Sequence, residues 1–204
     1  MGEAGTSLAA AKAELRRQVR RRRAARPESL RAAEAVRLRD VVLASPVLHR
    51  ARAVACYVSL ATEPGTGPLR TALAAAGVRV LLPVVPDVSA PLDWAVDDGR
   101  LGPGPLGIAQ PTGPRLGPAA AGDVDVFLVP ALLVDTDGHR LGQGGGYYDA
   151  TLAVLHERGA GVPVVALVHD DELTDAVRTP VPTGPLDRPV TAVATPSRWV
   201  DVPR

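Results

Sequence analysis

The sequence predicts an α/β fold: a three-layer sandwich with a mostly parallel central sheet, two N-terminal helices and a single domain over residues 1–204. Two observations predict it. Short, nearly continuous apolar runs recur along the chain, as in strands that are covered on both faces. Two of these runs flank an Ala-rich helical segment, and a strand, helix and strand at this spacing form a right-handed crossover between parallel strands.

Two helices are predicted within residues 1–45. The first, 7–25, has Ser7 as its N-cap and ends before Pro27, and its apolar stripe consists of Leu8, Leu15 and Val19. Its other face is basic. The second, 28–44, follows the apolar pattern Leu30, Val36, Leu38, Val41 and Val42 and ends before Pro46.

The pattern then changes to short apolar and β-branched runs bounded by turn-forming residues. These runs predict strands at 53–60, 78–85, 124–130, 162–168 and 190–195. Residues 67–77 are predicted as the crossover helix, with Gly77 as its C′ residue. A further helix is predicted at 147–158, with Leu152 and Leu155 facing inward. Glycine and proline occupy half of residues 99–122, so that segment is predicted as a long loop.

Composition limits the classes of function. The net charge of +1 gives no strong positive field that would attract nucleic acid or an anionic membrane. Only 3% of the residues are aromatic, too few for a surface on which nucleic-acid bases stack. No apolar run approaches the roughly 18 residues that span a bilayer. Cys56 is the only cysteine, which excludes an internal disulfide, and its mid-strand position indicates a core residue rather than a nucleophile. We expect a cytoplasmic monomer that acts on small molecules and binds neither nucleic acid nor membranes.

The segment "RLGQGGGYYD" (140–149) carries the strongest local signal. It follows a strand and precedes a helix, so amides free of side chains gather at a helix N-terminus, where anions bind. Arg140 adds a forked donor for phosphate oxygens. No Lys-Ser/Thr follows, so this is not a Walker loop, and Tyr147 replaces the last glycine of a Rossmann fingerprint. A flexible turn is the alternative.

Other charged residues allow two interpretations each. Asp149 either complements the helix dipole or, beside a phosphate, binds a metal that needs a second carboxylate. Lys12 and Arg16 share a helix face and either clamp a polyphosphate or belong to a solvated basic face, the interpretation we adopt for Arg20 to Arg23. Glu63, after the strand at 53–60, either faces a ligand or caps the next helix.

Taken together, these motifs resemble the 5-formyltetrahydrofolate cyclo-ligase family along nearly the whole chain. The family's Lys-x-x-x-Arg is similar to Lys12 to Arg16, and its Ser-x-x-x-Glu-x-x-Thr is similar to Ser59, Glu63 and Thr66. "GIAQP" (107–111) resembles another motif. The most specific match is "PALLVDTDGHRLGQGGGYYD" (130–149), although Ala131 and Val134 replace the usual Gly and Phe, and some members carry lysine at Gly145.

The resemblance implies specific roles. It implies ATP binding by Lys12, Arg16, Arg140, Leu141, Gly142, Gln143, Gly144, Gly145, Gly146, Tyr147 and Tyr148. It implies folate binding by Val58, Glu63, Gln143, Gly144, Gly145, Gly146 and Tyr147. Arg140, Tyr147 and Glu63 would be catalytic, and Asp149 and Asp187 would hold Mg²⁺. "TGPL" precedes Asp187 where the family frequently has Glu-x-His.

The activity implied by this resemblance is ATP- and Mg²⁺-dependent cyclisation of 5-formyltetrahydrofolate to 5,10-methenyltetrahydrofolate, with release of ADP and phosphate. The formyl oxygen would be phosphorylated and N10 would then attack. Two other classes remain open at this point. One is a non-catalytic nucleotide- or RNA-binding protein that uses the basic first helix and the glycine loop, residues 142–146. The other is an ATP-dependent kinase or ligase for another small anionic substrate.

Overall fold

The computed structural model describes residues 3–86, 91–157 and 161–203. The α-helices within these ranges are α1 (Glu3–Ala25), α2 (Glu28–Leu43), α3 (Gly67–Ala75) and α4 (Tyr147–Glu157). All four were predicted, although residue 158 of the last prediction lies outside the described ranges. The N-cap at Ser7 is wrong, because α1 begins at Glu3. The single Gly5 costs only about 1 kcal/mol, too little to stop the helix.

Twelve strands occur in the same described ranges. They are β1 (Ala53–Ala55), β2 (Arg79–Val84), β3 (Asp93–Val96), β4 (Leu101–Pro103), β5 (Ala109–Pro111), β6 (Val126–Pro130), β7 (Leu133–Asp135), β8 (Arg140–Leu141), β9 (Val164–Leu167), β10 (Leu173–Thr174), β11 (Ala192–Ala194) and β12 (Trp199–Asp201). Seven form the central sheet in the order β12, β11, β9, β6, β1, β2, β3. The inner five are parallel and the two edge strands antiparallel, which confirms the mostly parallel sheet.

The strand order reverses between β1 and β6. From β1 the chain crosses through α3 to β2 on one side, whereas β6, β9 and β11 lie on the other side. In open α/β sheets, ligands bind in the crevice at the carboxyl ends of the strands where the order reverses. β1 is shorter than the predicted 53–60, although the Cys56 amide still donates to the Leu81 carbonyl at 2.8 Å. Residues 57–60 are therefore free to line that crevice.

Side chains of the sheet alternate between two cores. Phe127 and Val129 of β6 belong to the core on one face, which includes Leu152 and Leu155 of α4 as predicted. Val126 and Leu128 belong to the other core, which also contains α2 and α3 side chains: Leu38, Val42, Leu69 and Leu73. The sheet is thus covered on both faces, as in the predicted three-layer sandwich. This explains the continuous apolar runs in the sequence.

The predicted stripe of α2 is partly wrong. Leu30 and Val36 are 39% and 41% exposed, whereas Leu38 and Val42 are fully buried with Glu34 and Ala35. Val36 lies two residues from Glu34 and Leu38, which is about 200° around the helix. The end of α3 agrees with its prediction. Gly77 has φ +75°, and the amides of Gly77 and Val78 donate to the carbonyls of Ala74 and Leu73, as in a Schellman motif.

The segment 99–122 is not a plain loop. It contains the antiparallel ribbon of β4 and β5, in which Gly102 pairs with Gln110. A Cβ on Gly104 would lie 2.5 Å from the Ile108 carbonyl oxygen, so glycine permits the close approach that closes the ribbon. A second small sheet has the order β10, β7, β8 and presents Arg140 at its edge. Among the described residues, no helix is long and apolar enough to cross a membrane.

Candidate active site

A pocket of about 470 Å³ lies at the reversal of strand order. That volume is typical of small-molecule sites. Its walls come from the segment after β1, from the carboxyl ends of β2 and β6, from α1, and from the loop between β8 and α4. Every residue to which the sequence resemblance gave a role lines this one pocket. Segments as far apart as Lys12 and Asp187 therefore meet there.

The glycine loop forms the floor between β8 and α4. Gly144 has φ +106° and Gly146 has φ +72°, conformations that L-residues adopt rarely. A Cβ on Gly144 would lie 3.4 Å from the Arg16 guanidinium carbon, and one on Gly145 would lie 3.0 Å from a Tyr147 ring carbon. Glycine is thus required at two positions for backbone conformation, and the loop packs directly against neighbouring side chains.

Arg140 is buried beneath this loop. Its Nη2 donates to Asp149 Oδ1 at 2.5 Å, and its Nη1 donates to the Arg188 carbonyl. Asp149 lies in the first turn of α4, so it also complements the helix dipole. β8 pairs with β7 and holds the backbone of Arg140 and the buried Leu141 in place. The pair therefore joins a strand to a helix N-terminus at the pocket wall.

α1 carries a row of cations along the pocket. Lys12 Nζ lies 2.5 Å from Asp187 Oδ2, and Arg16 Nε donates to the Gly142 carbonyl at 2.9 Å. Arg20 donates to both the carbonyl and the side-chain oxygen of Gln143 at about 3 Å. The solvated-face interpretation is confirmed for the exposed Arg21 and Arg22. Arg20 is also exposed, although it lines the pocket. The interpretation is wrong for Arg23, which is buried. Spacings of four, four and three residues place 12, 16, 20 and 23 on one stripe.

Glu63 is buried at the strand-end side of the pocket. Its Oε2 accepts the Leu60 amide at 2.9 Å, and its Oε1 accepts Gln143 Nε2 at 3.2 Å. The alternative that Glu63 caps α3 is wrong. The N-cap of α3 is Thr66, and Thr66 Oγ1 donates to the Tyr57 carbonyl at 2.6 Å rather than accepting from the helix.

Burial determines the ionisation of several pocket groups. Burial raises the pKa of Tyr57 and Tyr148 well above the ordinary value, and the nearby Glu63 carboxylate raises it further. Both tyrosines are therefore neutral hydroxyls. Burial also raises the pKa of the Asp187 carboxyl, but hydrogen bonds from Lys12 and the Gly184 amide lower it to a net value below the ordinary one. Asp187 is thus a carboxylate at neutral pH.

The two predicted metal ligands fit Mg²⁺ by number and chemistry. Asp149 and Asp187 both line the pocket, and their described contacts use Oδ1 of Asp149 and Oδ2 of Asp187. In the described part of the chain, no group of three or more acidic, histidine or cysteine residues is arranged to hold a metal ion. Two carboxylates suit Mg²⁺, which keeps several water and phosphate ligands, better than Zn²⁺, which takes three or four protein ligands.

Most of the apolar wall was not predicted from the sequence. Besides Val58 and the tyrosines at 147 and 148, the pocket is lined by Tyr57, Leu60, Pro83, Val85, Leu92, Ile108 and Pro130. Gln110 Oε1 accepts the Val85 amide at 3.2 Å and thereby joins the β5 segment to the end of β2. Their position could have indicated three of these residues, because Pro83, Val85 and Pro130 lie at the carboxyl ends of predicted parallel strands.

Cys56 has no part in this chemistry. It is completely buried, and burial raises the pKa of its thiol to about 12. Only about one thiol in a thousand would be ionised at pH 9, and the thiolate is the reactive form. We expect no reaction of the native protein with a chromogenic disulfide reagent at pH 8, and one equivalent of thiol after unfolding in guanidinium. Rapid labelling of the native protein would contradict the core assignment.

Fold and site together define an α/β protein with a cation-lined pocket of small-molecule size at the switch point of a mostly parallel sheet. The sequence model of the 5-formyltetrahydrofolate cyclo-ligase family matches residues 8–196. The chain belongs to this family.

Individual relatives agree with this membership. The 5-formyltetrahydrofolate cyclo-ligase of Mycolicibacterium smegmatis is 39% identical over 194 residues, covering 93% of this chain and 95% of the relative. That of Escherichia coli K12 is 32% identical over 156 residues, covering 75% and 82%. The 5,10-methenyltetrahydrofolate synthetase of Aquifex aeolicus superposes with a TM-score of 0.76 at 26% identity, covering 95% and 93%.

A second solved structure shows the same fold. The synthetase from Mycoplasma pneumoniae matches with a TM-score of 0.68 at 19% identity and covers 89% of this chain and 96% of that chain. The resemblance inferred from the motifs, the α/β fold and the classification as an enzyme are therefore confirmed.

Proposed function

We propose that the protein catalyses ATP-dependent cyclisation of 5-formyltetrahydrofolate to 5,10-methenyltetrahydrofolate, with release of ADP and phosphate. The observation that carries the proposal is the composition of the pocket at the switch point. Lys12, Arg16, Arg140 and the glycine loop form one part of its lining, and apolar residues and the Glu63 carboxylate form the rest. A polyphosphate and a flat organic ring need these two kinds of wall. Membership of the family supports the same substrate.

The reaction explains why both ligands must meet. The formyl oxygen on N5 belongs to an amide and is a poor leaving group. Transfer of the γ-phosphoryl group to that oxygen releases ADP and converts the oxygen into a phosphate ester. N10 then attacks the formyl carbon, the carbon–oxygen bond breaks, phosphate departs and N10 loses its proton. The product is the methenyl bridge between N5 and N10.

Phosphoryl transfer requires mainly positioning and charge stabilisation from the protein. In our proposal, Lys12 and Arg16 bind the polyphosphate from α1. The amides of residues 142–146 and the Arg140 guanidinium meet the charge that develops during transfer. The cations already lie at hydrogen-bonding distance from protein oxygens in the pocket, so phosphate oxygens would take over existing donor directions.

Magnesium supplies neutralisation of phosphate charge when it is bound by Asp149 and Asp187. The ion pairs of these carboxylates with Arg140 and Lys12 hold them at the pocket wall beside the phosphate-binding groups. The two carboxylates thereby take a defined place before a nucleotide arrives. Asp187 is further fixed by the Gly184 amide, which donates to its Oδ2 at 2.6 Å.

The folate would contact the apolar part of the pocket lining. Val58 and Tyr147 provide surface for the ring, and the Glu63 carboxylate accepts hydrogen bonds from its N–H groups. Gln143 holds Glu63 in position through the 3.2 Å bond from Nε2. Tyr147 and Tyr148, at the N-terminus of α4, exclude water that would otherwise accept the phosphoryl group.

Release of ADP measured with and without 5-formyltetrahydrofolate tests this function. We expect ADP and the methenyl absorbance to appear together, in equal amounts, only when both substrates are present. ADP formation that depends on a different anionic acceptor would indicate another kinase or ligase. Salt-sensitive binding of RNA without any ADP release would indicate the non-catalytic alternative.

A further inference from the structure

We propose that the buried ion pair between Arg23 and Glu172 is a positioning device that fixes where α1 holds its cations along the pocket. The inference rests on the proposed function, because it takes Lys12, Arg16 and Arg20 to be nucleotide-binding groups. Neither Arg23 nor Glu172 lines the pocket. Their effect on the reaction would therefore pass through α1.

The pair is completely buried and strongly directional. Arg23 Nε and Nη2 each donate to one oxygen of Glu172 at 2.7 Å, and Nη2 also donates to the Ala131 carbonyl at 2.6 Å. Both side chains are 1% exposed. A guanidinium that bonds a carboxylate through two parallel N–H groups has one preferred orientation as well as one preferred distance.

The partners of Arg23 lie in segments that directly follow two central strands. Ala131 directly follows β6, and Glu172 lies in the 3₁₀ turn that follows β9. Glu172 Oε2 also accepts the His169 amide at 2.9 Å, which fixes the carboxylate against that turn. β6 and β9 are neighbouring central strands, and the pocket lies at the same carboxyl edge. The ion pair thus ties α1 to the edge on which the site is built.

The remaining contacts of α1 hold it less specifically. Leu15 and Val19 pack against a small apolar cluster that contains Leu132, Leu133, Leu141 and Val181. Apolar contacts tolerate sliding because they have no preferred direction. The partners of Lys12, Arg16 and Arg20 all lie in the pocket, where a polyphosphate would compete for the same donors. Arg23 is the cation of this stripe whose partners lie outside the pocket.

Helix geometry explains why the position of α1 matters for the cations along the pocket. Residues 12, 16, 20 and 23 are separated by four, four and three positions, so they form one stripe along α1. Displacement of the helix by one residue would move each cation by about 1.5 Å along the axis and about 100° around it. Misplacement of this size is sufficient to lose aligned contacts with a bound phosphate.

Neighbouring ion pairs further fix the position of the Arg23–Glu172 pair. Arg26, just beyond α1, donates to Glu34 of α2 at 2.8 Å and to Asp171 at 2.6 Å. Glu34 in turn lies 2.9 Å from Nδ1 of His169. The end of α1, the buried face of α2 and the turn at 169–172 therefore form one polar network. Buried ion pairs add little net stability relative to apolar residues, but they can specify an arrangement.

The test uses the full-length enzyme with both partners replaced, R23M/E172M, so that no lone charge remains buried. We expect the melting temperature to stay close to that of the parent. The dissociation constant and KM for ATP should rise about tenfold, while kcat and the KM for 5-formyltetrahydrofolate change less than about threefold. The control R70M/D97M removes a mostly buried pair between α3 and the segment after β3. It should leave ATP binding unchanged.

A second variant covers failure of the double variant to fold. Arg23→Lys keeps the charge but loses the forked geometry, and a rise of about threefold in the dissociation constant for ATP is expected. Unchanged ATP affinity in a folded R23M/E172M or, if that does not fold, in Arg23→Lys would overturn the positioning role. If the parent itself bound no ATP, the proposed function would fail instead.

Discussion

Replacement of Arg140 by alanine is expected to lower kcat for methenyl formation by about 100- to 1,000-fold while the protein stays folded. Arg140 is the buried cation beneath the glycine loop, where charge would develop on the transferring phosphoryl group. Its loss leaves Asp149 without an arginine partner, but the Asp149 side chain is 36% exposed, so water can solvate it. Methenyl absorbance measures the rate, and circular dichroism with thermal melting checks the fold.

Asp149→Asn distinguishes the contribution of the metal to activity from the contribution of Arg140. Asparagine keeps the size of the side chain but removes a hard anionic ligand, so the loss of activity should shrink as the Mg²⁺ concentration rises. The loss in Arg140→Ala should not. R100A and D98N serve as controls, because Arg100 and Asp98 form a comparable 2.5 Å pair away from the pocket lining. Full activity in both Arg140→Ala and Asp149→Asn would contradict the proposed mechanism.

Local patterns predicted the central sheet well because burial on both faces leaves a direct trace in sequence. Each inner strand is a run of apolar residues, and Phe127 and Leu128 show why, since adjacent residues enter opposite cores. The edge strands and small sheets leave no such trace. β5 contains Gln110 and Pro111, and β8 has two residues, so their pairing depends on distant partners rather than on composition.

The candidate site likewise contains residues that a local sequence motif indicates and residues that only the tertiary fold reveals. The glycine loop, Arg140 and Asp149 are contiguous, so one motif indicated them together. Arg23 could not be assigned from its surroundings, because it lies within four consecutive arginines. What distinguishes Arg23 from Arg22 is the buried carboxylate of Glu172, which is 149 residues away, whereas the carboxylate beside Arg22 is half-exposed. Helical spacing indicates a stripe, but only the tertiary fold shows which arginine meets a buried acid.

The glycines of the floor should affect activity through backbone conformation. Gly144→Ala and Gly146→Ala place a side chain at φ +106° and +72°, which costs about 1–2 kcal/mol of strain at each position. We expect the strain to be relieved by movement of the loop, because the proposed partner of its backbone amides is a bound phosphate rather than a neighbouring β-strand. The KM for ATP should then rise about 10- to 100-fold.

Matched glycines make this expectation specific. Gly77→Ala imposes similar strain at φ +75° beyond α3, so it should lower the melting temperature without changing the KM for ATP. A Cβ at Gly146 meets no atom within 4 Å, whereas one at Gly144 approaches Arg16, so Gly146→Ala reports strain alone. Gly145 has no positive φ, and the Tyr147 ring must yield only slightly. Gly145→Ala should therefore be the mildest of the three, and equal ATP affinity in all three variants would mean that the loop amides do not bind phosphate.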